Sequence, residues 1–117
     1  MSQSTLNSQE FSLISSQTLS DYVTAVAWSV DGEILAATSG AGEVVLQNDS
    51  ELKILQSSND ESVDCVAFSH DGNFLAVSGQ NGQVKIWQEN KLITTLENSA
   101  WVDKLAWSPN CNHLAFS

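Results

Sequence analysis

The apolar positions of this chain fall in short runs, and the same order of runs returns along the sequence. "VTAVAWS" (23–29), "VDCVAFS" (63–69) and "VDKLAWS" (102–108) each open a segment, and "ILA", "FLA" and "HLA" follow after a turn. Val23 and Val63 lie 40 positions apart, and Val63 and Val102 lie 39 apart. A fixed period of this size marks one supersecondary unit per repeat. The runs are rich in β-branched and aromatic residues and too short for stable helices. In the second unit "VDCVAFS", "NFLAVS", "QVKIW" and "KLITTL" read as four strands joined by "SHDG", "GQNG" and "QEN" turns. The pattern predicts an antiparallel four-stranded meander.

Two details sharpen this picture. Asn81-Gly82, within the "GQNG" turn, is a strong hairpin signal, because both residues accept positive φ. Ala41-Gly42 is the weaker counterpart in the first unit. The strands "DCVAF" and "NFLAV" do not alternate between apolar and polar. Strands apolar on both faces are covered on both faces, so the sheets are expected to stack, about 10 Å apart.

Composition narrows the partners. The chain has 117 residues, enough for one domain, and 42% are hydrophobic, enough for a core. Its net charge is −10, from 14 acidic residues against four lysines and no arginine. Nucleic acids are poor partners, because phosphates need clustered Lys and Arg. Anionic membrane surfaces are disfavoured for the same reason, and no apolar run is long enough for a membrane-spanning helix. A basic partner fits better. The start "MSQSTLNSQE" has neither the basic residues nor the apolar stretch of a secretory signal, and Cys65 and Cys111 do not form a disulfide framework. A cytoplasmic, reducing location is the expectation, with Cys65 a small core residue.

No catalytic constellation emerges. His70 falls in a turn, where a solvated position is expected, and His113 is expected at a semi-buried edge. His113 and Cys111 are one residue apart, but no second Cys/His pair accompanies them, which argues against zinc. No Gly-x-Ser-x-Gly elbow and no phosphate-cradling loop is present. Neither a cofactor nor a metal is expected.

These residues resemble the WD-repeat family of β-propellers: the period, the Ser-x-Asp-Gly turns at Ser29–Gly32 and Ser69–Gly72, the Leu-Ala pairs, and "NGQVKIW" ending at Trp87. The resemblance covers nearly everything from residue 11 onward. It implies an all-β fold, a propeller segment of four-stranded antiparallel blades, about two complete and half of a third. A polar tail (1–10), expected to be disordered, precedes a partial propeller (11–117). Within it lie a lone outer strand (11–19), blade 1 (23–62), blade 2 (63–101) and the first half of blade 3 (102–117). Closed propellers use four to eight blades, so the reading is an N-terminal piece of a longer propeller. The alternatives are self-association into a ring or docking with a complementary chain. The family's Trp-Asp ending reads Trp87-Gln88 and Gln47-Asn48 here, and its Gly-His pair is absent. Its His–Ser–Asp–Trp hydrogen-bond set is therefore incomplete, and apolar packing must replace it.

By the same resemblance, first strands lie nearest the central axis and fourth strands outermost. Thr24, Asp64 and Asp103 then fall near the upper rim of the channel, with Tyr22 and Trp101 just before those strands and Gln80 in a neighbouring turn. Aromatics beside acids on an exposed rim suit a peptide-binding hot spot. Trp28, Phe68 and Trp107 occupy equivalent strand positions and are expected in the core. The implied function is a non-enzymatic protein-interaction scaffold that binds a protein or peptide. Its rivals are part of a propeller-based enzyme, or a structural domain fused to a downstream module.

Overall fold

A computed structural model describes residues 22–48, 51–98, 100–109 and 113–117. The lone strand expected at 11–19, the tail at 1–10 and Cys111 lie outside the described residues. Among the described residues there are ten strands: β1 (Val23–Trp28), β2 (Leu35–Ser39), β3 (Val44–Gln47), β4 (Leu52–Gln56), β5 (Val63–Phe68), β6 (Phe74–Gly79), β7 (Gln83–Gln88), β8 (Lys91–Glu97), β9 (Leu105–Trp107) and β10 (Leu114–Phe116). They form two four-stranded sheets, β1-β2-β3-β4 and β5-β6-β7-β8, and a two-stranded sheet of β9 and β10. Every pairing is antiparallel.

The unalternating apolar runs explain the stacking. β2 is buried along its whole length, and β6 at every residue after Phe74. Residues facing the junction of the two large sheets form one core: Ala36 and Val44 from the first, with Val63, Leu75, Val77 and Trp87 from the second. Leu35, Ala37 and Val45 bury the opposite face of the first sheet. The outermost strand β8 is exposed throughout. The Trp87 indole N–H is buried without a hydrogen-bond partner, so apolar contact alone holds this ring.

Three local details differ from expectation. The turn with positive φ at both central residues, the type I′ signature, is at Glu89 (51°) and Asn90 (69°), between β7 and β8. At "GQNG" only Gly82 has positive φ. There Gly82 N–H donates to Gly79 O (3.2 Å) and Asn81 Oδ1 accepts from Gln83 N–H (2.9 Å). The Asn81 side chain and the Gly82 backbone bond together close the turn with Asn81 itself outside the left-handed region. Trp28 is not core: it is 45% exposed, whereas Phe68 and Trp107 are half-buried against a neighbouring sheet. His70 is half-buried with Nδ1 shielded and unpaired, and His113 is exposed.

The Ser-x-Asp-Gly turns are built alike. Ser69 Oγ donates to Asp71 Oδ1 (2.8 Å) and accepts from Phe74 N–H (3.0 Å), while Asp71 Oδ1 accepts from Asn73 N–H (3.0 Å). Ser29, Asp31, Glu33 and Ile34 repeat this arrangement. The Ser29 hydroxyl, then the Glu33 N–H, hold the Asp31 carboxyl below its ordinary pKa.

Glycine substitutions test the turn geometry. Gly72 has φ of 77° with open space around a notional Cβ. Gly72→Ala should therefore cost only the left-handed penalty of about 1 kcal/mol. Gly82 has φ of 79°, and a Cβ there would meet Asn98 O at 2.5 Å and Ala100 O at 3.0 Å. Urea titration should show Gly82→Ala at least ~1 kcal/mol worse than Gly72→Ala.

Candidate functional site

The first strands β1, β5 and β9 line an open groove of about 710 Å³. Its wall includes Ala25, Asp64, Cys65, Asp103, Lys104 and Phe116. Small residues keep the floor open: Ala25 from β1, Ala106 from β9 and Ala115 from β10. The two carboxylates come from equivalent positions one period apart: Asp64 is the second residue of β5, and Asp103 lies in the segment just before β9.

Their surroundings differ. Asp64 is half-buried. Ser62 Oγ donates to its Oδ1 at 2.6 Å, and its Oδ2 is shielded from water and has no partner. Asp103 is exposed and lies 3.8 Å from Lys104 Nζ. Beside them, burial pushes the Cys65 thiol above its ordinary pKa, and the Asp103 and Asp64 charges push it further the same way. A thiol held protonated is a poor nucleophile. Among the described residues no three His, Cys, Asp or Glu side chains cluster as metal ligands. The groove offers acceptors and apolar wall, which suit binding a donor-rich segment.

Of the other four rim residues, three are exposed and one is turned inward. Gln80 is exposed, and its N–H approaches Ser62 O (3.4 Å), next to the residue that orients Asp64. Trp101 is 53% exposed, in the segment that leads to Asp103. Tyr22 is exposed and its ring lies over Gly40, where a Cβ would come within 2.8 Å of it. Thr24 is turned into the junction between sheets: its hydroxyl donates to Val63 O and lies 2.8 Å from Thr38 Oγ1.

Sequence reasoning missed the polar links between sheets. Ser78 Oγ donates to Val102 O (3.0 Å), and the Trp107 indole N–H donates to Ala67 O (3.0 Å). Lys85 Nζ donates to Gln56 Oε1 (2.6 Å). A signal for the hydroxyl link was present: Thr38, Ser78 and Ser117 are spaced by 40 and 39 positions. A hydroxyl thus stands at one fixed place in every unit.

A family model described as WD domain, G-beta repeat matches residues 11–46 and 49–88. Among solved structures, a chain of the mitotic checkpoint complex is 27% identical, with a TM-score of 0.65, covering 74% of this chain and 29% of that one. The RRP9 WD40 repeats are 16% identical, with a TM-score of 0.74, covering 84% and 33%. The Myceliophteria thermophila Cps50 (Swd1) β-propeller domain is 20% identical, with a TM-score of 0.67, covering 78% and 31%. The chain thus spans about a third of the length of the propellers it matches. No curated protein matches the sequence.

Ser78→Ala tests the hydroxyl link. Val102 is fully buried, so its carbonyl would lose a partner that water cannot replace. The expected cost is about 1–3 kcal/mol, read as a lower urea midpoint. Hydrogen exchange should rise first at β9 and β10.

Proposed function

We propose that this chain, which belongs to the WD-repeat family of β-propellers, is a protein-interaction scaffold that takes a basic segment of a partner into the groove between β5 and β9. One observation carries the reading. A shielded carboxylate oxygen of Asp64 lacks a donor, in a groove it shares with Asp103. A buried unpaired acceptor costs free energy, and an incoming lysine or arginine would relieve it. The net charge of −10 would draw such a segment in. Exposed Trp101 and Gln80 supply apolar and polar contacts at the rim. Propellers of this family are typically scaffolds rather than enzymes, and one of the similar chains is part of the mitotic checkpoint complex.

The test uses a fluorescent hexalysine peptide as the probe. Binding should weaken with added salt. Asp64→Asn and Asp103→Asn should each raise its Kd roughly two- to tenfold, with an unchanged far-ultraviolet spectrum. Glu33→Gln, a charge loss outside the groove, should have a smaller effect. Equal losses at Glu33 and Asp64 would reduce the interaction to net charge and overturn the site.

A further inference from the structure

We infer that the chain has a second partner-binding site, a pocket that takes one aliphatic side chain of a segment that also carries a basic residue. The pocket holds about 140 Å³ and lies toward the other end of the strands from Asp64, beside Phe68, the last residue of β5. Its walls come from the two complete four-stranded sheets and the turns that join their strands. Ile34, Leu46 and Leu55 line it from the first unit, Phe68 and Trp87 from the second. Leu46, Leu55 and Phe68 pack against the shared core, yet they and Ile34 are only half-buried, so each leaves apolar surface uncovered. An apolar cavity of about 150 Å³ can hold benzene, so this one has room for a leucine or isoleucine side chain.

The rim narrows the choice of ligand. The turns that bound the pocket, 29–34, 69–73 and 89–90, carry Asp31, Glu33, Asp71 and Glu89 and no lysine, with Lys91 just beyond them. Glu89 and Asn90 line the pocket, and both are exposed. Glu89 holds φ of 51°, in the left-handed region. Glycine or asparagine would hold that angle at lower cost, so turn geometry does not account for a glutamate here. Strain of this kind is kept where a side chain has another task. A carboxylate beside an apolar pocket suits a lysine or arginine next to the inserted side chain. Residues 1–21 of the chain itself do not answer this description: they include Glu10 and Asp21 and no Lys, Arg or His. The fitting occupant is a segment of a partner protein.

The probe is the peptide acetyl-Lys-Leu-Lys-amide, titrated into the isotope-labelled chain while NMR follows the Trp87 indole resonance. That resonance should shift and saturate. Acetyl-Lys-Ala-Lys-amide lacks most of the inserted side chain and should bind roughly tenfold more weakly or worse. Leu55→Phe narrows the pocket and should abolish the difference between the two peptides. Glu89→Asn relaxes the turn and removes the charge. Its urea midpoint should rise while the Kd of the leucine peptide also rises, roughly two- to fivefold. Asp64→Asn, which weakens hexalysine binding in the groove, should leave the Trp87 response unchanged, so the two sites fail separately. If Leu55→Phe unfolds, the pair of peptides on the unaltered chain decides. A Trp87 resonance that ignores the leucine peptide would mean that the pocket is closed or filled by the chain itself, and would overturn the inference. Equal affinity for the leucine and alanine peptides, or unchanged affinity in Glu89→Asn, would overturn it as well.

Discussion

No large sheet of this protein can stand alone, because its second strand has no face it can show to water. β2 is buried at every position, and β6 at every position after Phe74. Alternation would have given each strand one wet face. Its absence forces sheet onto sheet, and the shared core of Ala36, Val44, Leu75, Val77 and Trp87 is the result. At roughly 25 cal/mol per Å² of apolar area, this burial outweighs any single hydrogen bond in the molecule. The groove is a by-product: stacking twisted sheets splays their first strands around a common opening, which the small residues leave unfilled.

The strands were legible because their signal is local. Short apolar runs bounded by Ser-x-Asp-Gly and Gly-rich turns gave β5 to β8 within a residue or two of the observed bounds. Turn type was harder to read. Asn81 and Gly82 both accept positive φ, yet only Gly82 takes it, and the pair of successive left-handed residues is Glu89 and Asn90, in the separate turn between β7 and β8. Trp28 was misplaced for another reason. Strand position says which way a side chain points, but not whether a neighbour is there to cover it. The same limit applies to Thr24, whose rank along β1 matched that of Asp64 and Asp103. A threonine hydroxyl beside Thr38 finds a closer partner at Val63 O than in the channel.

The groove combines two roles of charge. Asp64 and Asp103 stand about one repeat apart in the sequence and face one opening, so duplication placed two carboxylates in one wall. Stability did not require them there. Asp64 is held by a single hydroxyl from Ser62, and its other oxygen has nothing. Partial burial, and then the charges of Asp103 and Asp64, raise the pKa of the half-buried Cys65 thiol.

The links from sheet to sheet have a consequence for how such a chain can change over generations. Thr24, Ser78 and Trp107 all cross a junction, and all three end on a main-chain carbonyl, at Val63, Val102 and Ala67. A carbonyl is present whatever the side chain. The receiving unit can therefore drift in sequence without breaking these three links, although the Lys85–Gln56 bond and the stacking of Trp107 on Phe74 still need particular side chains on both sides. Units joined this way are interchangeable parts. One can be copied, lost or replaced by a distant cousin, and the next will still find its acceptor.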